Sequence, residues 1–264
     1  METNQVAAPD QVNDSRAEQE LIAYVAENRE AAPPVPSPVR FTPFALSPEP
    51  PEKVAEREAE IAERAERRRR AEIQQRYTDL VQSAGERYRE CTLESYRCTT
   101  PQQRKAVDLV REYLTADSSD NVILYGPVGT GKDHIAFAIC RVAVRRNKTV
   151  AWINGQKWFG LVRDAMDTSR TEASIIAELV RPDVLCLSDP TPPIGGLTPH
   201  QATMLYRLVD ARYSRGIPTI CTINVNDDSE ADKSMGEATW DRLCHGAWRI
   251  HCNWQTFRKP LKEV

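Results

Sequence analysis

At 264 residues the chain is long enough for one substantial α/β core with accessory segments. Its 35 Lys and Arg against 38 Asp and Glu give a formal net charge of -3, which excludes a globally basic nucleic-acid binder and leaves any such contact to a local patch. No apolar stretch approaches membrane-spanning length, Met1 to Asp10 lacks the pattern of a signal peptide, and the 7 cysteines show no metal spacing, so a reducing, cytoplasmic setting is expected.

Residues 1–52 are expected to be mostly disordered. Asp14–Glu30 is spaced for a short helix with Leu21, Ile22 and Val25 on one face, but alone it buries too little to be stable. Residues 33–51 are proline-dense and read as an extended linker. Over 53–90, Val54, Ile61, Ala65, Ile73, Tyr77, Leu80, Ala84 and Tyr88 recur at mostly helical intervals among Glu and Arg. This predicts one long charged helix or two in succession. The globular domain is expected over 91–264. Thr100-Pro101-Gln102-Gln103 is a capping box with proline at the first helical position, and Val107, Val110 and Leu114 give that helix its buried stripe.

Val122–Tyr125 then has strand character, and the run Gly126, Pro127, Val128, Gly129, Thr130, Gly131, Lys132 fits the phosphate-loop spacing G-x-x-x-x-G-K. The apolar stretch Ile135–Val144 supplies the helix such a loop must open. The glycines let backbone N–H groups turn inward on an anion, the helix start adds the positive end of its dipole, and Lys132 adds a mobile point charge. Residues 126–134, through Asp133 and His134, are therefore the expected nucleotide site for ATP or GTP. Asp133 stands where Ser or Thr normally meets Mg²⁺. It either offers the metal a carboxylate or caps the helix.

Further strands are expected at Thr149–Ile153, Val184–Leu187, 218–223 and Ala247–Cys252. Helices are expected at Gln156–Met166, Glu172–Val180, from the second capping box at Thr198 through Tyr213, and at Ala238–Cys244. Strands alternating with helices predict an α/β fold with a mainly parallel sheet covered on both faces and a ligand at the carboxyl ends of the strands. Asp189, at the end of an apolar strand beside the phosphate loop, points to the metal.

The order of these motifs resembles the AAA+ ATPases of the bacterial helicase-loader group, the DnaC/DnaI type, and their transposon relatives of the IstB type. The likeness runs over roughly residues 86–258. It is carried by Cys91-Thr-Leu-Glu-Ser-Tyr96, by Gly126-Pro-Val-Gly-Thr-Gly-Lys-Asp-His-Ile-Ala136, and by Arg212-Tyr213 with Pro218-Thr-Ile-Cys-Thr-Ile-Asn224. Gly236-Glu-Ala-Thr-Trp-Asp-Arg-Leu243 and Asn253-Trp-Gln-Thr-Phe-Arg258 complete it. The resemblance implies a P-loop AAA+ domain using ATP and Mg²⁺. It puts Asn224 opposite the γ-phosphate, makes Arg242 an arginine finger that reaches a neighbouring subunit, and makes Arg258 a sensor-II-like arginine. The acidic pair of the family aligns with Ser188-Asp189, followed by Pro190, and a second arginine common in the family is replaced by Ala238. The implied catalytic set is Asp189, Asn224, Arg242 and Arg258; the metal set is Asp133, Ser188 and Asp189.

On the same resemblance the expected partners are a replicative DNA helicase or another DNA-remodelling protein, and single-stranded DNA, with an ATP-dependent homo-oligomer as the working form. Two neighbouring readings share the core: a transposition-accessory ATPase acting with a transposase on duplex DNA, and a nucleotide-gated scaffold with little hydrolysis. The first 85 residues carry no likeness.

Overall fold

The computed structural model describes residues 23–24, 50–166, 171–192 and 196–258. Ala23 and Tyr24 are helical; the rest of the expected helix at 14–30 and nearly all of the proline-rich stretch lie outside the described residues. The unit Ala55–Val264 holds the sheet and the phosphate loop.

The charged segment forms a single helix, α1 (Pro51–Ala84), followed by a 3₁₀ turn at Glu86–Tyr88. Its character changes along its length. Residues 55–72 are exposed, with charges paired one turn apart, as in Arg67–Glu63 and Arg70–Glu66. From Ile73 onward the apolar stripe meets the domain. Leu80 and Val81 are fully buried, and Ile73, Tyr77, Ala84 and Tyr88 pack beside them. The core thus takes in residues well before the expected start at 91, because the stripe of this helix helps to cover one face of the sheet.

The remaining elements are α2 (Pro101–Ala116), β1 (Val122–Tyr125), α3 (Lys132–Arg145), β2 (Val150–Asn154) and α4 (Gly155–Met166). Then come α5 (Glu172–Val180), β3 (Val184–Ser188), α6 (Pro199–Tyr213), β4 (Thr219–Ile223), α7 (Asp228–Met235), α8 (Glu237–Cys244) and β5 (Trp248–His251). Both expected capping boxes are formed: Thr100 and Thr198 accept from the backbone N–H of Gln103 and Gln201, whose side chains reach back. Helix α7 is not among the expected elements. Its sequence is polar, and only Ala231 and Met235 are buried, so no apolar period announces it; Asp227 caps it.

Among the described residues the strands form one parallel sheet in the order β2-β3-β4-β1-β5. Alternate side chains feed two cores. Val122, Leu124, Val184, Cys186 and Ile220 face the layer of α1, α2 and α3. Ile123, Leu185, Leu187, Cys221 and Ile223 face the layer of α4 through α8. Sequential strands are split around β1, so the crevice at the carboxyl ends of β1, β3 and β4 opens where the phosphate loop leaves the sheet.

One buried charge fastens this frame. Arg212 of α6 donates to the carbonyls of Leu179, Val180, Pro182 and Pro218 and to the Thr219 hydroxyl, at 2.6–3.3 Å. Burial pushes its pKa down to about 10, which leaves it cationic at neutral pH. The guanidinium is a clip between the end of α5 and the start of β4.

Candidate functional site

The loop between β1 and α3 folds as its glycines require. Gly129 has φ +83, and a Cβ there would lie 2.0 Å from the Thr256 hydroxyl. Gly131 has φ +87, and a Cβ would lie 2.8 Å from the Tyr96 ring. Only glycine allows both the backbone turn and the close approach of these neighbours. The loop is pinned from outside by three donors: Tyr96 hydroxyl and Trp254 indole N–H to Thr130 O, both 2.8 Å, and Phe257 N–H to Gly129 O, 2.9 Å. No side chain among the described residues caps the start of α3, so its first N–H groups stay available beside the loop.

Lys132 is buried and donates to the carbonyls of Gly126 and Pro127, both at 2.8 Å. Burial holds its pKa below the usual lysine value, opposed by the charges of Asp189 and Asp133. A cleft of about 500 Å³ lies in front of it, lined among others by Gly129, Gly131, Asp189, Asn224 and Arg258. Of the expected loop residues, Val128, Gly129, Gly131, Lys132, Asp133 and His134 thus meet Asp189, Asn224 and Arg258 at this cleft, while Gly126, Pro127 and Thr130 lie behind its lining.

Asp189 ends β3 with φ 45, a left-handed backbone uncommon outside glycine, and its N–H donates to Thr222 O at 2.9 Å. Burial, and then the neighbouring charge of Asp133, raises its carboxyl pKa. Asn224 donates to its Oδ1 at 2.6 Å. Asp133 does not cap the helix. Its Oδ1 accepts from the hydroxyls of Ser188, 3.0 Å, and Thr222, 2.8 Å, and its Oδ2 from the Tyr88 hydroxyl, 3.2 Å. Asp133, Ser188 and Asp189 therefore sit together across the ends of α3 and β3.

Arg242 stands elsewhere. Its Nε donates to Asp210 at 2.7 Å and another guanidinium nitrogen to Ala238 O, and it lies over the rings of Tyr206 and Tyr213. It is not among the residues lining the cleft. His134 lines the cleft, and its Nε2, 2.8 Å from Thr92 O and 3.2 Å from the Ser95 hydroxyl, also ties α3 to the lead-in segment. Sequence reasoning missed Tyr88 and Thr222 as site residues. Both sit in apolar alternations, a helical stripe and a strand, and their hydroxyls gave no separate signal.

Chemically, the cleft offers N–H groups and an ammonium to an anionic chain at one end and two carboxylates to a hard cation beside it. No carboxylate follows Asp189 along the chain, where Pro190 stands, and among the described residues no glutamate lines this cleft. Glu230, in the neighbouring hollow, is taken up by the backbone and side-chain N–H groups of Asn226.

A family model described as IstB-like ATP binding protein matches residues 53–263. The replicative helicase loader DnaC of Escherichia coli K12 is 30% identical over 181 residues, covering 66% of this chain and 71% of that protein. A protein of insertion sequence IS5376 from Geobacillus stearothermophilus is 27% identical over 164 residues, 59% of this chain and 63% of its own. A crystal structure of the DnaC helicase loader superposes with a TM-score of 0.56 at 17% identity, over 62% of this chain and 98% of that one.

Proposed function

The chain belongs to the IstB-like ATP-binding protein family and is an AAA+ protein of the helicase-loader type; from that premise we propose that it couples ATP binding to the engagement of a replicative DNA helicase and single-stranded DNA. The observation that carries the reading is the convergence of the phosphate loop, Lys132, Asp189, Asn224 and Arg258 on one cleft. The loop N–H groups and Lys132 bind the phosphates of ATP. Asn224, held on Asp189, faces the terminal phosphate, and Arg258 lies at the cleft mouth to meet its charge. A magnesium ion bound with the triphosphate would supply neutralising positive charge. Asp189 and Asp133 are the carboxylates that would hold it, with Ser188 keeping Asp133 in place.

Arg242 acts on a neighbouring copy. Its position outside the chain's own cleft supports that role and an ATP-dependent homo-oligomer. Hydrolysis is slow, because among the described residues no glutamate lines the cleft to activate water. Turnover is expected well below the enzyme median of about 10 per second. The nucleotide then works mainly as a binding switch.

The test combines three measurements on the full chain. Calorimetry should show magnesium-supported ATP binding. Anisotropy should show ATP-dependent binding of labelled single-stranded DNA. Size-exclusion with a hexameric replicative helicase should show co-migration that needs ATP. A chain that ignores the helicase and single strands but binds duplex DNA with a transposase would overturn this reading in favour of the transposition-accessory one.

A further inference from the structure

Three hydroxyls reach one carboxylate from three different elements. Ser188 comes from the end of β3, Thr222 from within β4, and Tyr88 from the 3₁₀ turn that follows α1. Ser188 and Thr222 together occupy Oδ1 of Asp133. Oδ2 accepts only from Tyr88 among the described residues, which leaves this oxygen a lone pair for the cleft that both residues line. The Tyr88 ring is itself fixed. It stacks on Phe137 of α3 at 5.9 Å and lies against Trp152 of β2 at 5.8 Å. Its hydroxyl is therefore a positioned donor, not a wandering one.

Terminal carboxylate torsions are broad, so a carboxylate bonded on one side only can swing its second oxygen. Carboxylates that hold metals are in turn held by hydrogen bonds, and loss of such a support typically weakens metal binding. We propose that Tyr88 is a positioning residue for the metal of the nucleotide: through Asp133 Oδ2 it sets how strongly ATP binding depends on magnesium. The inference rests on the ATP-binding reading. It goes beyond that reading by giving the turn after the long helix a part in the site.

The experiment titrates ATP into the full chain with chelator and with magnesium, and takes the ratio of the dissociation constant in chelator to that in magnesium. Wild type, Tyr88→Phe, Asp133→Asn and the double variant are compared, with thermal melting as the check on folding. Tyr88→Phe keeps the ring and its stacking. It is expected to lower the ratio by about 10-fold, the scale for losing a support of a metal ligand, while metal-free affinity and melting stay at wild-type values. In the Asp133→Asn background, Tyr88→Phe should lower the ratio no further. An unchanged ratio in Tyr88→Phe, or an equal fall in the double-variant comparison, overturns the role of Tyr88 while leaving ATP binding intact. A wild type that does not bind ATP overturns both this proposal and the reading it rests on, whereas one that binds it equally with and without magnesium overturns this proposal alone.

Discussion

Lys132 was legible from spacing alone, since only one loop in the chain offers G-x-x-x-x-G-K between a strand and a helix. What spacing did not show is that its ammonium is buried on two loop carbonyls. Lys132→Ala removes a charged donor worth about 1.5–3 kcal/mol to an anionic partner, so calorimetry should show ATP affinity reduced about 10- to 100-fold. The melting temperature should fall modestly too, because the substitution removes the donor of two loop carbonyls. Arg212 is the opposite case. It reads in the sequence as one polar residue beside Tyr213, and nothing local announces that it is buried under five acceptors. Arg212→Met strands those carbonyls in the interior, at a cost of about 3–5 kcal/mol. For a domain of this size the melting temperature should fall by on the order of 10 °C. Arg212→Lys should recover only part of this, since a point charge cannot span acceptors that a planar fork bridges. A melting temperature unchanged in Arg212→Met would show that the clip contributes nothing.

The elements were legible wherever composition and period agreed. The capping boxes at Thr100 and Thr198 marked two helix starts, and the apolar runs marked the strands to within a residue or two. Strand order was not legible, because it depends on which crossover packs where, and α7 hid in a polar sequence. The boundary within α1 was missed for another reason. A helical stripe records that one face is apolar, but not what it meets. Here its last three turns meet the sheet domain, and Leu80 and Val81 are fully buried there. Burial of each contributes about 1.5–3 kcal/mol. A chain starting at Ala55 keeps this contact. One starting at Glu86 should melt lower by on the order of 10 °C. Equal melting of the two would mean that the helix end is not part of the core.

For the molecule as a whole, the role proposed for Arg242 across a subunit boundary makes its own test. The side chain rests on Asp210 and two tyrosine rings, outside its own cleft. A finger supplied to a neighbour leaves a signature in mixtures. Arg242→Ala and Lys132→Ala chains should each be inactive, yet mixed they should regain part of the wild-type ATP turnover at interfaces that pair an intact cleft with an intact finger. No gain in any mixture, with wild type active, would end the assignment across subunits.

The exposed length of α1 adds a mechanical consequence. Its buried end is a fulcrum, and residues 55–72 form an arm beyond it. At about 1.5 Å of rise per residue the arm reaches about 27 Å, so a tilt of about 5° at the fulcrum carries its tip through about 2 Å. Tyr88 lies just past the fulcrum, on the short side. A partner that bound the arm would load the buried helix end, one turn away from the residue that reaches Asp133.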